Sequence, residues 1–177
     1  MSALADLTPG TWTVDPSHSE VAFVARHLMV SKVRGRFAEV AGTVTVAEQF
    51  EQSSVTATAQ VASVSTSNAD RDAHLTSPDF FDAATYPQLT FVSTAVTPDS
   101  LAGDLTIKDV TRPVTFDLEV GGVAVDPWGN TKAAFEARAD VNRKDWGLTW
   151  NAALEGGGVL VSDKIAIVLE IQLTKSA

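Results

Sequence analysis

The chain has no cysteine in its 177 residues. Disulfides, thiol nucleophiles and cysteine-ligated zinc are therefore excluded. Histidine is scarce: His18, His27 and His74 stand in separate motifs with no HxH or HExxH spacing. A metal site would need them to converge with carboxylates such as Asp70 or Asp72, and none is expected. Basic residues are outnumbered, thirteen Lys and Arg against twenty-two Asp and Glu, for a net charge of −9. Nucleic-acid binding calls for a basic face, and general adsorption to anionic membranes calls for the same sign. The ordinary consequence of this charge is solubility. No apolar run approaches the roughly 18 residues of a membrane-spanning helix. The start, MSALADLTPG, has neither the basic nor the apolar region of a secretory signal, so a cytoplasmic location is expected.

Catalytic signatures are also missing. No G-x-S-x-G elbow occurs, and the glycine run Gly156–Val159 lacks the Lys-Ser/Thr of a phosphate loop. Carboxylates that could pair fall mostly on the presumed outer faces of strands. A non-enzymatic protein without a cofactor is expected.

What the chain does have is period-2 alternation. Val21, Phe23 and Ala25 alternate with Glu20, Ala22, Val24 and Arg26. The second face is not cleanly polar, so part of it should be covered. Val55, Ala57, Ala59 and Val61 alternate with Thr56, Thr58 and Gln60, and Leu101, Gly103, Leu105 and Ile107 face away from Asp104, Thr106 and Lys108. The cleanest pattern sets Val114, Phe116, Leu118 and Val120 against Thr115, Asp117 and Glu119. Ala133, Phe135, Ala137, Ala139 and Val141 follow, and Ile165 to Leu173 forms a last strand. Asp15-Pro16-Ser17 and Thr97 to Ser100 read as turns. His27–Lys32 reads as a helical turn or a bend, Asp109–Pro113 as a loop or bulge, and Gly121-Gly122 as a loop. Roughly eight or nine strands at this spacing suit an antiparallel barrel or sandwich. No linker, repeat or composition break divides the chain, so residues 1–177 are expected to form one domain.

The stretch Ser67–Pro87 departs from the pattern. Asn68 can cap a helix whose first turn holds Asp70 and Asp72. Ser77 followed by Pro78 marks a second helix start. Phe80 and Phe81 are adjacent and so point in different directions, either as a gate over the end of a β structure or as plain core.

Many presumed inward positions are small: Ala25, Ala57, Ala59, Gly103, Ala133, Ala137 and Ala139. Others are aromatic: Phe23, Phe91, Phe116 and Phe135. Small residues can leave room for a ligand inside an eight-stranded barrel. They can equally pack tightly opposite large ones.

The segments TWTVDPSHSEVAFVARHLMVSKVRGRF, DRDAHLTSPDFFDAATYPQLTF, LTIKDVTRPVTFDL, DWGLTW and GGVLVSDKIAIVLEIQL, in this order, resemble the YceI family across nearly the whole chain. The resemblance implies an all-β, lipocalin-like, extended eight-stranded antiparallel barrel with one or two short helices and a long apolar cavity. It implies binding of a polyisoprenoid, an isoprenoid quinone type or a related amphiphile, and a homodimer. Such a protein would carry or sequester the lipid. The alternatives are an enzyme acting on an isoprenoid lipid and a stress-related structural module with a filled interior. The candidate wall residues are Phe23, Ala25, His27, Phe37, Ala59, Phe91, Phe116, Phe135 and Ala137, with Phe80 and Phe81 at the gate. Trp146 is placed either at a rim or in ordinary packing. Arg71 and His74 are head-group candidates, or else they pair locally, Arg71 with an Asp on a neighbouring strand. Arg26, Arg34 and Arg36 raise the same question for a diphosphate head. The net negative charge favours a neutral head such as a quinone or phenol.

Overall fold

In the computed structural model, residues 3–154 and 159–176 are described, and eleven strand segments form one antiparallel sheet closed on itself. The first six are β1 (Gly10–Val14), β2 (Glu20–His27), β3 (Ser31–Phe37), β4 (Val40–Val46), β5 (Ser54–Gln60) and β6 (Val64–Ser65). The one α-helix among the described residues, α1 (Ala69–Leu75), follows. The chain then completes β7 (Gln88–Thr97), β8 (Ser100–Ile107), β9 (Val110–Val125), β10 (Thr131–Asn142) and β11 (Lys164–Lys175). The glycine run at 156–158 lies outside the described residues.

The eleven segments make eight staves. β1 and β2 both pair with β11, at Val14↔Leu173 and Glu20↔Glu170, and so form one interrupted strand. β3 and β4 pair with β2 and β1, and β6 and β5 pair with β3 and β4, each again as one stave. The three interruptions, at residues 15–19, 38–39 and 61–63, lie side by side across the wall. β7 to β11 are unbroken staves, and the β1–β11 ladder closes the cylinder. The result is a closed eight-stranded antiparallel barrel, the architecture the sequence led us to expect.

Local chemistry sets the joints. Asp15 caps the 3₁₀ turn Pro16–His18, accepting from the Ser17 amide at 3.1 Å and the Ser17 hydroxyl at 2.7 Å. The same carboxylate accepts from Lys132 Nζ at 3.0 Å, which also donates to Thr174 Oγ1 at 2.7 Å. The Ser17 hydroxyl, with Lys132 and His18 in support, holds the Asp15 carboxyl well below the usual carboxylate range against the opposing effect of burial. Asn68 caps α1, accepting from the Arg71 amide at 3.0 Å.

Several local expectations are corrected. Asp109–Pro113 is not a loop: β9 starts at Val110, and Pro113 pairs with Asp104 inside the ladder. The turn is confined to the residues just before it, with Lys108 at φ 58°. Gly121-Gly122 is not a loop either. Val120 pairs with Phe135 and Gly122 with Ala134, so Gly121 is an extra residue in a β-bulge. Ser77-Pro78 starts no helix. The Ser77 hydroxyl donates to the carbonyl of His74, and the following residues form turns up to Pro87. Of His27–Lys32, only Leu28–Val30 make the tight turn of the β2–β3 hairpin, while His27, Ser31 and Lys32 lie in the ladder.

One end of the barrel is filled. There Trp12, Leu7, Val46, Ala133 and Leu173 form a buried cluster. Trp12 is fully buried and donates from Nε1 to the carbonyl of Thr8 at 3.0 Å. We call this the lower end. At the upper end the strands give way to α1 with its following turns and to the segment between β10 and β11.

Candidate functional site

Inside the barrel lies a cavity of about 440 Å³. Its wall is built largely by strand parity: the inward residues of each stave face it, and the surface they present is mostly apolar. Phe23, Ala25 and His27 reach it from β2, Phe37 from β3, and Ala57 and Ala59 from β5. Phe91, Phe116, Phe135 and Ala137 contribute from β7, β9 and β10. Phe91 and Phe116 meet edge to face at 5.6 Å between ring centroids. The sequence-based wall residues are thus brought together on one surface.

Not every small residue makes room. Gly103 is not on the cavity wall, because the Phe91 ring occupies the place where its Cβ would stand. Gly35 is covered in the same way by the Phe23 ring. Both rings therefore lie close against the wall instead of standing across the lumen. Ala133 and Ala139 are buried in the packed clusters. The two readings of the alanine face are both realised, each in a different part of the wall.

Phe80 and Phe81 diverge as adjacent residues should. Phe80 packs near His74, at 5.0 Å, and near Trp150, at 5.5 Å. Phe81 packs edge-on to Phe37 at 5.8 Å. Both border the cavity.

Arg71 and His74 also border the cavity, but their polar atoms are engaged close by. Arg71 donates from Nε to Thr66 Oγ1 and from Nη2 to the Thr66 carbonyl, each at 2.8 Å. Its tie is thus to Thr66 and not to an Asp of a neighbouring strand. Asp72 completes the knot, accepting from the Thr66 amide and hydroxyl at 2.7 and 2.6 Å. His74 Nε2 stands 2.9 Å from Asp79 Oδ2, and its ring meets Trp150 edge to face at 4.5 Å. Arg26, Arg34 and Arg36 are exposed on the hairpin, Arg26 also borders the cavity, and Arg34 pairs with Glu20 at 2.8 Å.

Trp146 is not at a wet rim. It is buried beside the cavity and donates from Nε1 to the carbonyl of Leu105 at 2.9 Å. Sequence reasoning passed over Trp150, which takes the half-buried place against His74. It also passed over Arg143, a buried cation on the cavity wall. Arg143 donates to the carbonyls of Ser162 at 2.9 Å, Trp150 at 2.9 Å and Leu148. Asp163 stands 3.6 Å away. Burial pulls the guanidinium below its ordinary pKa, and Asp163 offsets part of that. A signal existed: Arg143 continues the inward parity of Ala137, Ala139 and Val141.

Among the described residues, no group of three or more His, Asp or Glu side chains is placed to hold a metal ion. No described helix is long and apolar enough to cross a membrane.

A family model for the YceI-like domain matches residues 12–173. The chain belongs to the YceI family. A UPF0312 protein of Staphylococcus aureus is 38% identical to it over 159 residues, covering 87% of this chain and 91% of that protein. Among solved structures, Burkholderia cenocepacia BcnA superposes with a TM-score of 0.75 at 25% identity, covering 90% of this chain and 98% of that one. The Campylobacter jejuni YceI protein gives 0.71 at 28% identity, covering 86% and 90%. A polyisoprenoid-binding domain from Saccharophagus degradans shares the YceI barrel at a TM-score of 0.69 and 13% identity, covering 93% and 98%.

Proposed function

We propose that this YceI-family barrel binds a long-chain isoprenoid lipid in its cavity and carries or sequesters it. The observation that carries the reading is the cavity of about 440 Å³ with an almost wholly apolar wall. It falls within the roughly 300–1,000 Å³ usual for small-molecule sites. A branched hydrocarbon needs little more than such a surface. Each CH₂ removed from water contributes about 0.8 kcal/mol, so a few buried isoprene units supply substantial affinity without directional contacts. The name of the Saccharophagus degradans domain supports the ligand class. Because Arg71 and His74 already hold partners of their own, the wall offers few free polar contacts. That favours a neutral quinone or phenol head over a diphosphate. A cytoplasmic location and a homodimer belong to the same proposal, and gel filtration with light scattering tests the dimer.

The decisive experiment is organic extraction of protein purified from its native host, followed by mass spectrometry, with uptake of added polyprenol by the stripped protein. Recovery of an isoprenoid at near-stoichiometric yield supports the reading. An empty extract together with no uptake ends it. Conversion of the added lipid to a new product would instead make the protein an enzyme.

A further inference from the structure

The tip of the β2–β3 hairpin is built against two ordinary rules. Its turn has positive φ at both central residues, Leu28 at 55° and Met29 at 60°, and the Val30 amide donates to the His27 carbonyl at 3.2 Å. This is the type I′ pattern, which favours Asn-Gly because bulky side chains are strained there. Leu28, Met29 and Val30 nonetheless occupy it, 41%, 57% and 77% exposed. A strained turn that holds three apolar side chains out in water brings no return within the barrel itself.

The second broken rule is electrostatic. Arg26 and Lys32 are directly opposite in the ladder, and like charges so placed repel. Both are exposed, and neither makes an ion pair among the described residues. Residues 26–38 hold four of the thirteen basic residues, Arg26, Lys32, Arg34 and Arg36, and none of the twenty-two acidic ones. A row of acids crosses the hairpin's own wall lower down, while other acids, among them Asp70, Asp72, Asp79 and Asp82, stand on α1 and its turns at the upper end. Glu20, Glu170, Glu136 and Glu119 pair successively across four staves. That row lies six residues below Arg26 along β2, about 20 Å at strand rise. Along this hairpin charge therefore runs from negative at mid-wall to positive at the apolar tip.

We propose that this hairpin docks the barrel onto an anionic phospholipid surface. Leu28, Met29 and Val30 enter the boundary between head groups and acyl chains, while Arg26 and Lys32 meet the phosphates. The strongly negative body disfavours any other face, so the hairpin sets the orientation. The docked end is also the upper end of the cavity, since the Leu28 amide donates to the carbonyl of Leu160, a cavity residue, at 2.9 Å. The docking does not depend on what the cavity holds.

The test is flotation of the full chain with phosphatidylcholine vesicles containing about one-third phosphatidylglycerol, and with phosphatidylcholine alone. The wild type floats with the anionic vesicles at low salt and is released as salt rises. The L28N/M29G variant restores the favoured turn residues, so its melting temperature holds or rises while its flotation falls. The R26Q/K32Q variant keeps the tip and floats about fivefold less for each cation removed. Trp128, 84% exposed at the opposite end, serves as the control, and W128S floats like the wild type. Wild-type protein that ignores the anionic vesicles overturns the proposal. So does L28N/M29G that floats undiminished, or W128S that alone abolishes flotation. A shift of L28N/M29G from dimer to monomer with flotation intact assigns the tip to self-association and also overturns it. Should L28N/M29G fail to fold, the R26Q/K32Q comparison decides.

Discussion

The two ends of the barrel are closed by different physics. At the lower end side chains from the strands themselves, with Leu7, fill the lumen around a fully buried Trp12. At the upper end the closure comes from segments outside the sheet, held by polar ties: Arg71 and Asp72 on Thr66, and Arg143 on the carbonyls of Leu148, Trp150 and Ser162. Packing resists any partial opening, because removing one large side chain leaves a void. A hydrogen-bonded strap can loosen locally while the sheet beneath it persists. The lower end is thus a fixed plug and the upper end a fastened cover.

The hardest blow to this contrast is Trp12→Ala. It should cost about 3–5 kcal/mol of global stability, read by denaturant unfolding. Trp150→Ala, at the cover, should cost clearly less, and an equal loss would break the comparison. Next comes Arg143→Met, which leaves several buried carbonyls without a donor. A loss of about 2–3 kcal/mol is expected, with faster amide exchange in residues 147–154 and 159–163 and little change around Trp12. Between the two ends, Ala137→Phe puts a ring into the lumen. Uptake of a fluorescent polyprenyl probe should be lost while stability falls by about 1–3 kcal/mol at most. Retained uptake would mean that Ala137 does not narrow the path.

The smallest effect concerns acid. Asp15 has its pKa lowered in the fold, mainly by the Ser17 hydroxyl. The stability it contributes is present above the unfolded-state value of about 4 and drains away as pH falls below it. Asp15→Asn should therefore lower stability at neutral pH and flatten its decline in acid, read as melting temperature against pH.

The fold was legible where chemistry is local. Alternation placed Phe23, Ala25, Phe116, Phe135 and Ala137 on the inner face because strand parity alone decides it. Asn68 announced its cap and Asp15 its turn, since each bonds to an amide two or three residues away. What escaped depends on distant partners. Arg143 finds its carbonyls in a non-strand segment, and nothing in its immediate neighbours signals that. Gly103 looked like free space because the ring that covers it comes from another stave. Pro113 and the Gly121-Gly122 pair carry breaker chemistry, yet the sheet absorbed the first into a ladder and the second at a bulge.

The aligned interruptions in the first three staves have a mechanical consequence. Five staves run unbroken, whereas the other three share a crease where the regular ladder is interrupted. Such a tube is stiff along one side and compliant along the other. Under load it should flex at the crease first, as a hinged shell does, and keep its long wall straight.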